Sequence, residues 1–263
     1  MGRYPLRRYL AGLTLLIAAT AFSGASHAGQ TVKVGAYYFP PFVQQTATGI
    51  GGMVVDLVAL MNAAQSTYTF ELVDTSATGR YNDMASGRID MIAFEDADWG
   101  WRDMNVVASD VFMTGAEVYV ALAEPGRDQS YFDDVTDLKI AAVYGFHYGF
   151  ADFNADPGFL QTNFMVELPL DPYTALFHVI DRHTDVAVVS RAYLETFLKR
   201  HPEYAETFLI SDKVDQDYRH AIVMRADAGP SVGEINALLA EIKSSGAFDE
   251  MLASYGLQDW AEE

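Results

Sequence analysis

The sequence predicts an α/β fold in two lobes, each a mainly parallel sheet flanked by helices. Three observations carry this reading. Short β-rich runs alternate with helical patterns along nearly the whole chain after residue 28. The alternation passes through two cycles, the second opening near Leu138. Extended β runs near 117–123 and 213–224 stand where a chain crossing twice between lobes needs them.

In the first cycle, Thr31–Ala36 reads as a strand ended by Phe39-Pro40-Pro41-Phe42. Gly49 to Gly52 lead into a helix over Met53–Ala64, with Val54, Leu57, Val58 and Met61 on its buried side. Tyr68–Val73 is a second strand, a short helix near Tyr81–Ser86 stops at Gly87, and Ile89–Phe94 is a third strand. Glu117–Ala123 is a long β run closed by the turn Glu124-Pro125-Gly126.

The second cycle comprises strand Leu138–Val143, a glycine turn at Gly145 and then a helix, strand Asn163–Glu167 and helix Tyr173–Asp181. Strand Asp185–Val189, helix Arg191–Arg200, a short closing strand Phe208–Ser211 and a β run His220–Arg225 follow. Two helices end the chain. The first opens with the capping box Ser231-Val-Gly-Glu234, in which hydroxyl and carboxylate satisfy orphan N–H groups reciprocally. Both helices carry apolar residues at helical spacing and return to the first lobe. The expected organisation is residues 1–28 as a leader, 29–119 plus 218–263 as the first lobe, and 120–217 as the second.

The leader sets the compartment. Arg3, Arg7 and Arg8 precede an apolar stretch from Leu10 to Phe22, and Ser26 and Ala28 offer a small-residue cleavage site after Ala28. The apolar stretch is shorter than the roughly 20 residues a membrane-spanning helix needs. The chain has no cysteine, which removes lipid anchoring, disulfides, thiolate metal sites and a cysteine nucleophile. The formal net charge is −19, and the leader holds three of the 17 basic residues and none of the 36 acids, so the exported chain is more acidic still. Such a surface repels phosphate backbones and anionic lipid, so neither nucleic acid nor membrane surface is expected as a partner.

Several segments in order resemble the periplasmic solute-binding proteins of polar amino-acid ABC transporters, the family 3 extracellular solute-binding proteins. They are Val32-Lys-Val-Gly35 with Phe39-Pro-Pro-Phe42, Gly51-Gly-Met-Val-Val-Asp56-Leu57, and Ser86-Gly-Arg-Ile-Asp-Met-Ile92. Arg102 with Ala108-Ser-Asp110, Leu138-Lys-Ile-Ala-Ala-Val-Tyr-Gly145 and Asp185-Val-Ala-Val-Val189 complete the set. The resemblance implies a type II periplasmic-binding-protein fold with a two-crossing hinge. It also implies a monomer in the periplasm that closes on a small polar ligand, needs no cofactor or metal, and delivers the ligand to an ABC permease. Two alternatives share the fold: a dehydratase-like enzyme, with His147 as its general base, and a sensory module that docks on a receptor. No nucleophile motif, Gly-rich phosphate loop or His-Glu metal motif supports catalysis.

The resemblance assigns Phe39 as a stacking aromatic, with core packing as the alternative, and Arg102 as a bidentate carboxylate clamp, with a surface pair to Asp103 as the alternative. It also exposes departures. Ser190 stands where the family has an aspartate for the ligand's ammonium, and a hydroxyl cannot neutralise a buried cation. Phe146-His147-Tyr148 replace small hydroxyl residues, although backbone N–H groups there suit an anion. The loop Glu95-Asp96-Ala97-Asp98-Trp99-Gly100-Trp101 replaces serines and threonines. It reads either as a relocated cation site of acids and indoles or as a capped turn with packed tryptophans. The expected ligand-binding set is therefore Phe39, Glu95, Asp96, Trp99, Trp101, Arg102, Phe146, His147 and Ser190, with a ligand bearing an amine, a carboxylate or both.

Overall fold

A computed structural model describes Met1, Gly2 and residues 29–257. The leader thus lies almost wholly outside the described residues, as do the last six positions.

The first lobe opens with strand β1 (Gln30–Ala36), a small hairpin of β2 (Gln44–Thr46) and β3 (Gly49–Gly51), and helix α1 (Met53–Ala64). Strand β4 (Tyr68–Asp74), helix α2 (Arg80–Ser86), strand β5 (Met91–Glu95) and the short β6 (Val106–Ala108) follow. β1 pairs in parallel with both β4 and β5, as βαβ crossovers require. Helix α1 places Met53, Val54, Leu57, Val58 and Met61 inward, the stripe its spacing predicts. Gly87 ends α2 with φ 72°, a left-handed cap.

β7 (Met113–Leu122) carries the chain into the second lobe. There β8 (Ile140–Ala142), helix α3 (Pro157–Asn163), β9 (Val166–Glu167), helix α4 (Pro172–Ile180), β10 (Val186–Ser190) and helix α5 (Arg191–Arg200) build a second sheet with flanking helices. β11 (Phe208–Arg225) returns, and α6 (Val232–Ser244) and α7 (Ala247–Tyr255) pack against α1. The strand order is β4-β1-β5-β11-β7-β10-β8-β9, so β11 and β7, paired antiparallel, are the two crossings that join the lobes. One apolar core, including Phe42, Leu57, Phe94, Phe112 and Phe248, fills the first lobe. Two more, around Val189 with Phe197 and around Phe132 with Tyr148, cover opposite faces of the second sheet. The architecture is the type II periplasmic-binding-protein fold, two α/β lobes on a two-crossing hinge.

Three expectations change. The two β runs Phe208–Ser211 and His220–Arg225 are one strand of 18 residues. Its polar middle stays extended because β7 pairs with it on both sides of the register shifts between Ile210 and Val214 and between Val214 and Gln216. The helix expected after Gly145 is only a 3-10 turn over Gly149–Ala151, because Asp152 and Phe153 take left-handed φ of 50° and 60° and break it. The strand expected from Asn163 begins at Val166, since Asn163 closes α3.

Candidate functional site

Between the lobes lies a narrow cleft lined by Tyr37, Phe39, Arg80, Trp99, Glu117, Phe146, His147 and Tyr218, with about 10 Å³ of free space. Tyr37 and Phe39 come from the segment after β1, Arg80 from the first turn of α2, and Trp99 from the loop after β5. Phe146 and His147 follow β8 in the other lobe, while Glu117 and Tyr218 sit on the two crossings. The lobes are in contact. Tyr81 Oη lies 3.3 Å from His147 Nε2, and Gln216 on the hinge donates to the His147 carbonyl. Gly145 has φ 81°, and a Cβ there would lie 2.9 Å from Thr78 Cγ2. Only glycine allows this turn to approach the first lobe so closely.

The walls are aromatic. Phe39 meets Phe146 at 5.3 Å between ring centroids, Trp99 at 5.8 Å and Tyr218 at 6.1 Å, each close to perpendicular. Trp99 crosses Tyr218 at 5.0 Å and donates its indole N–H to Gln216 Oε1 at 2.9 Å. His220 lies behind this group, 6.2 Å from Phe39, with burial lowering its imidazole to about 3.

Arg80 is buried to 1% exposure. Its Nε is 3.3 Å from Glu95 Oε1, and its guanidinium lies over Tyr37, Tyr81 and Trp101. Burial opposes its charge most strongly, and the Glu95 carboxylate together with Tyr37 and Tyr81 more than offsets it. Glu117, 2% exposed, accepts from Gln216 Nε2 at 2.9 Å. Burial first, then the charge of Asp215, pushes its carboxyl up to about 8. His147 is held neutral, lowered to about 3 by burial and then by the positive charge of Arg80.

Asp215, at the second register shift of β11 between Val214 and Gln216, aims its carboxylate at the turn after β8. It accepts from Gly149 N at 2.6 Å, Phe150 N at 2.9 Å and the Tyr119 hydroxyl at 2.5 Å. The two backbone donors just past the Phe146-His147-Tyr148 segment, where N–H groups were expected to suit an anion, are thus filled by the protein's own carboxylate. A Cβ at Gly149 would meet the Asp215 carbonyl at 2.0 Å, so this contact requires glycine.

The cleft brings together four of the predicted residues: Phe39, Trp99, Phe146 and His147. The others stand elsewhere. Arg102 is the main correction: its side chain is 76% exposed and bonds Asp98, four residues back in the same loop, through Nη2 at 2.7 Å and Nε at 3.2 Å. Trp101 turns inward to pack against Tyr81, the rings tilted at 52°, and to donate to Glu95 at 2.7 Å, which leaves the next side chain facing solvent. Glu95 and Trp101 support Arg80 from behind the cleft. Asp96 caps the turn, accepting from Asp98 N at 3.0 Å, and ties it to β11 through Arg219 N at 2.9 Å. Ser190 is the N-cap of α5, its hydroxyl accepting from Tyr193 N at 3.2 Å.

Sequence reasoning missed Tyr37, Arg80, Glu117 and Tyr218. One signal was present for Glu117: an acid within the apolar run Glu117–Ala123 is the informative kind of outlier, a buried polar group. Arg80 carries no such mark.

Comparison with known proteins places this architecture. Among curated proteins none matches the chain in sequence. A substrate-binding protein of an ABC uptake transporter from Streptococcus pneumoniae, solved with bound histidine, superposes with TM-score 0.71 at 19% identity. The match covers 89% of this chain and 95% of that one. An arginine-, lysine- and histidine-binding protein from Geobacillus stearothermophilus gives 0.66 at 17% identity, over 86% and 95%. A histidine kinase sensor domain similar to periplasmic binding proteins gives 0.69 at 16% identity, over 90% and 99%. The profile of the bacterial extracellular solute-binding proteins, family 3, matches residues 32–258. With that span matched, the chain belongs to the bacterial extracellular solute-binding proteins, family 3.

Proposed function

We propose that this chain captures a small polar solute, amine- or carboxylate-bearing, between its lobes in the periplasm and delivers it to an ABC permease without covalent chemistry. The observation that carries this is the cleft itself: both lobes and both crossings contribute its lining, so occupancy and closure are coupled. In this reading the leader is removed after Ala28, the lobes comprise 29–119 with 218–263 and 120–217, and the protein works as a monomer. Phe39, Trp99, Phe146 and His147 contact the solute together with Tyr37, Arg80, Glu117 and Tyr218. Catalysis has little to work with. His147, the general base of the alternative reading, is lowered to about 3 by burial and so accepts a proton only weakly, and the lining holds no serine, threonine, cysteine or lysine.

The test is small-angle scattering with a thermal-shift panel of amino acids, amines, methylated ammonium compounds and dicarboxylates. A cognate solute is expected to raise the melting temperature by mass action and compact the protein. Unchanged scattering at a saturating concentration of a solute that does bind would overturn the closure reading. The sensor-domain likeness favours a second reading, in which the closed protein docks on a receptor; a permease that co-purifies with the solute-loaded form decides for transport.

A further inference from the structure

Besides Asp96, which caps its turn, three carboxylates lie withdrawn from solvent around the cleft, Glu95 and Glu117 buried and Asp215 half-buried, and two of these are already matched. Glu95 pairs with Arg80 at 3.3 Å and accepts from Trp101. Asp215 holds two backbone N–H groups and the Tyr119 hydroxyl. Glu117 differs from both. It faces the cleft at 2% exposure, its donors are the neutral Gln216 amide and Tyr218 hydroxyl, and no ion pair among the described residues includes it. A buried carboxylate without a cation is costly, and it keeps its proton unless one arrives. The rings of Phe39, Trp99, Phe146 and Tyr218 line the cleft with it, Phe39 meeting Trp99 and Phe146, and Trp99 meeting Tyr218, at near-right angles, and ring faces attract a desolvated cation.

We propose that Glu117 is the counter-ion of a compact alkylated ammonium ligand, which lodges among these rings and displaces the carboxyl proton to solvent as it binds. This rests on the cleft being the solute site proposed above. The free space of about 10 Å³ is close to that of one water, so the walls part for any organic cation, and a small head needs the least separation. Arg80 does not supply the missing charge, because Glu95 already matches it. The step balances simply: a neutral carboxyl and an ammonium ion become a carboxylate–ammonium pair, and one proton leaves.

The titratable groups around Glu117 are Tyr119 on its own strand, Asp215 and Tyr218 on β11, Tyr148 and His147 after β8, and Tyr37 with Arg80 across the cleft. His147 is neutral, lowered to about 3, the tyrosines are all pushed upward by burial, and Asp215, whose carboxyl burial also pushes up, is the second acid, its charge acting on Glu117. The Glu117 carboxyl, raised to about 8 by burial and then by Asp215, is protonated in the free cleft at pH 7. Affinity for the cation is therefore expected to rise up to about tenfold per pH unit below about 8 and to level off above it.

The experiment is titration calorimetry of the full protein with choline and tetramethylammonium, against the uncharged carbon isostere 3,3-dimethyl-1-butanol, in buffers of different ionisation enthalpy. The expected result is binding of the cations and not the isostere. It includes release of nearly one proton below about pH 7 and none above about pH 9. In Glu117→Gln the release disappears and affinity at about pH 8 falls on the order of 100-fold, while Glu117→Asp retains part of both. Cation binding no stronger than the isostere's, or equal in Glu117→Gln, overturns the proposal. If a neutral or anionic solute instead binds and compacts the protein while these cations do not, the inference falls and the solute-binding reading stands.

Discussion

Replacing Glu117 by glutamine tests the electrostatics of the hinge without any ligand. In the folded protein burial and the neighbouring charge of Asp215 raise this carboxyl from 4.5 to about 8. Between those values the folded state binds a proton that the unfolded state has released, so stability contributed by this group falls as pH rises through the window. At pH 7 the gap of about two and a half pH units from the ordinary value corresponds to roughly 3 kcal/mol of destabilisation. Glutamine carries no such titration, and its amide oxygen can still accept from Gln216 Nε2, the bond present at 2.9 Å. The variant is therefore expected to gain up to roughly 3 kcal/mol over the parent at pH 7 and almost nothing near pH 4.5. His147 and His220, both lowered to about 3, contribute the opposite slope: their stabilisation is lost as pH falls below 6.5. They are common to both proteins, so they cancel in the difference. Urea denaturation of parent and variant at about pH 5 and about pH 8 measures it directly. A stability difference that is the same at both pH values would refute the reasoning.

Further expectations follow from the two arginines and the last helix pair. Arg80→Ala strands the Glu95 charge in the core and should destabilise by about 3–5 kcal/mol, while a paired Arg80→Met, Glu95→Leu replacement recovers most of that. Denaturation curves of the three variants check it, and additive losses would refute the pairing. Arg102→Ala, which removes a solvent-exposed contact to Asp98, should leave stability and solute binding unchanged in the same assays. Ser231→Ala removes the box in which Ser231 Oγ accepts from Glu234 N at 3.3 Å, and should cost about 1 kcal/mol by thermal unfolding.

Local chemistry determined much of this protein. The spacing of Val54, Leu57, Val58 and Met61 specified α1 to its observed bounds, because a helix repeats its buried face every 3.6 residues whatever packs against it. The capping box at Ser231 and the stop at Gly87 are equally local, since each closes hydrogen bonds within a few residues. The ordered segments from Val32 to Val189 were enough to place the chain in its family.

The cleft was legible only in part. Phe39, Trp99, Phe146 and His147 could be read because they follow strand ends, where such folds gather their sites. The placement of the charges could not. Whether Arg80 or Arg102 points inward depends on which neighbour fills the space, and Trp101 packing on Tyr81 turned Arg102 out to solvent. Asp215 lies 66 residues from Gly149, and the register shifts of β11 that join them are a property of strand pairing across the hinge. Glu117 is an acid in an apolar strand by sequence. Only the closing of two lobes around it removes its water, and with the water the screening that would have left it an ordinary carboxylate.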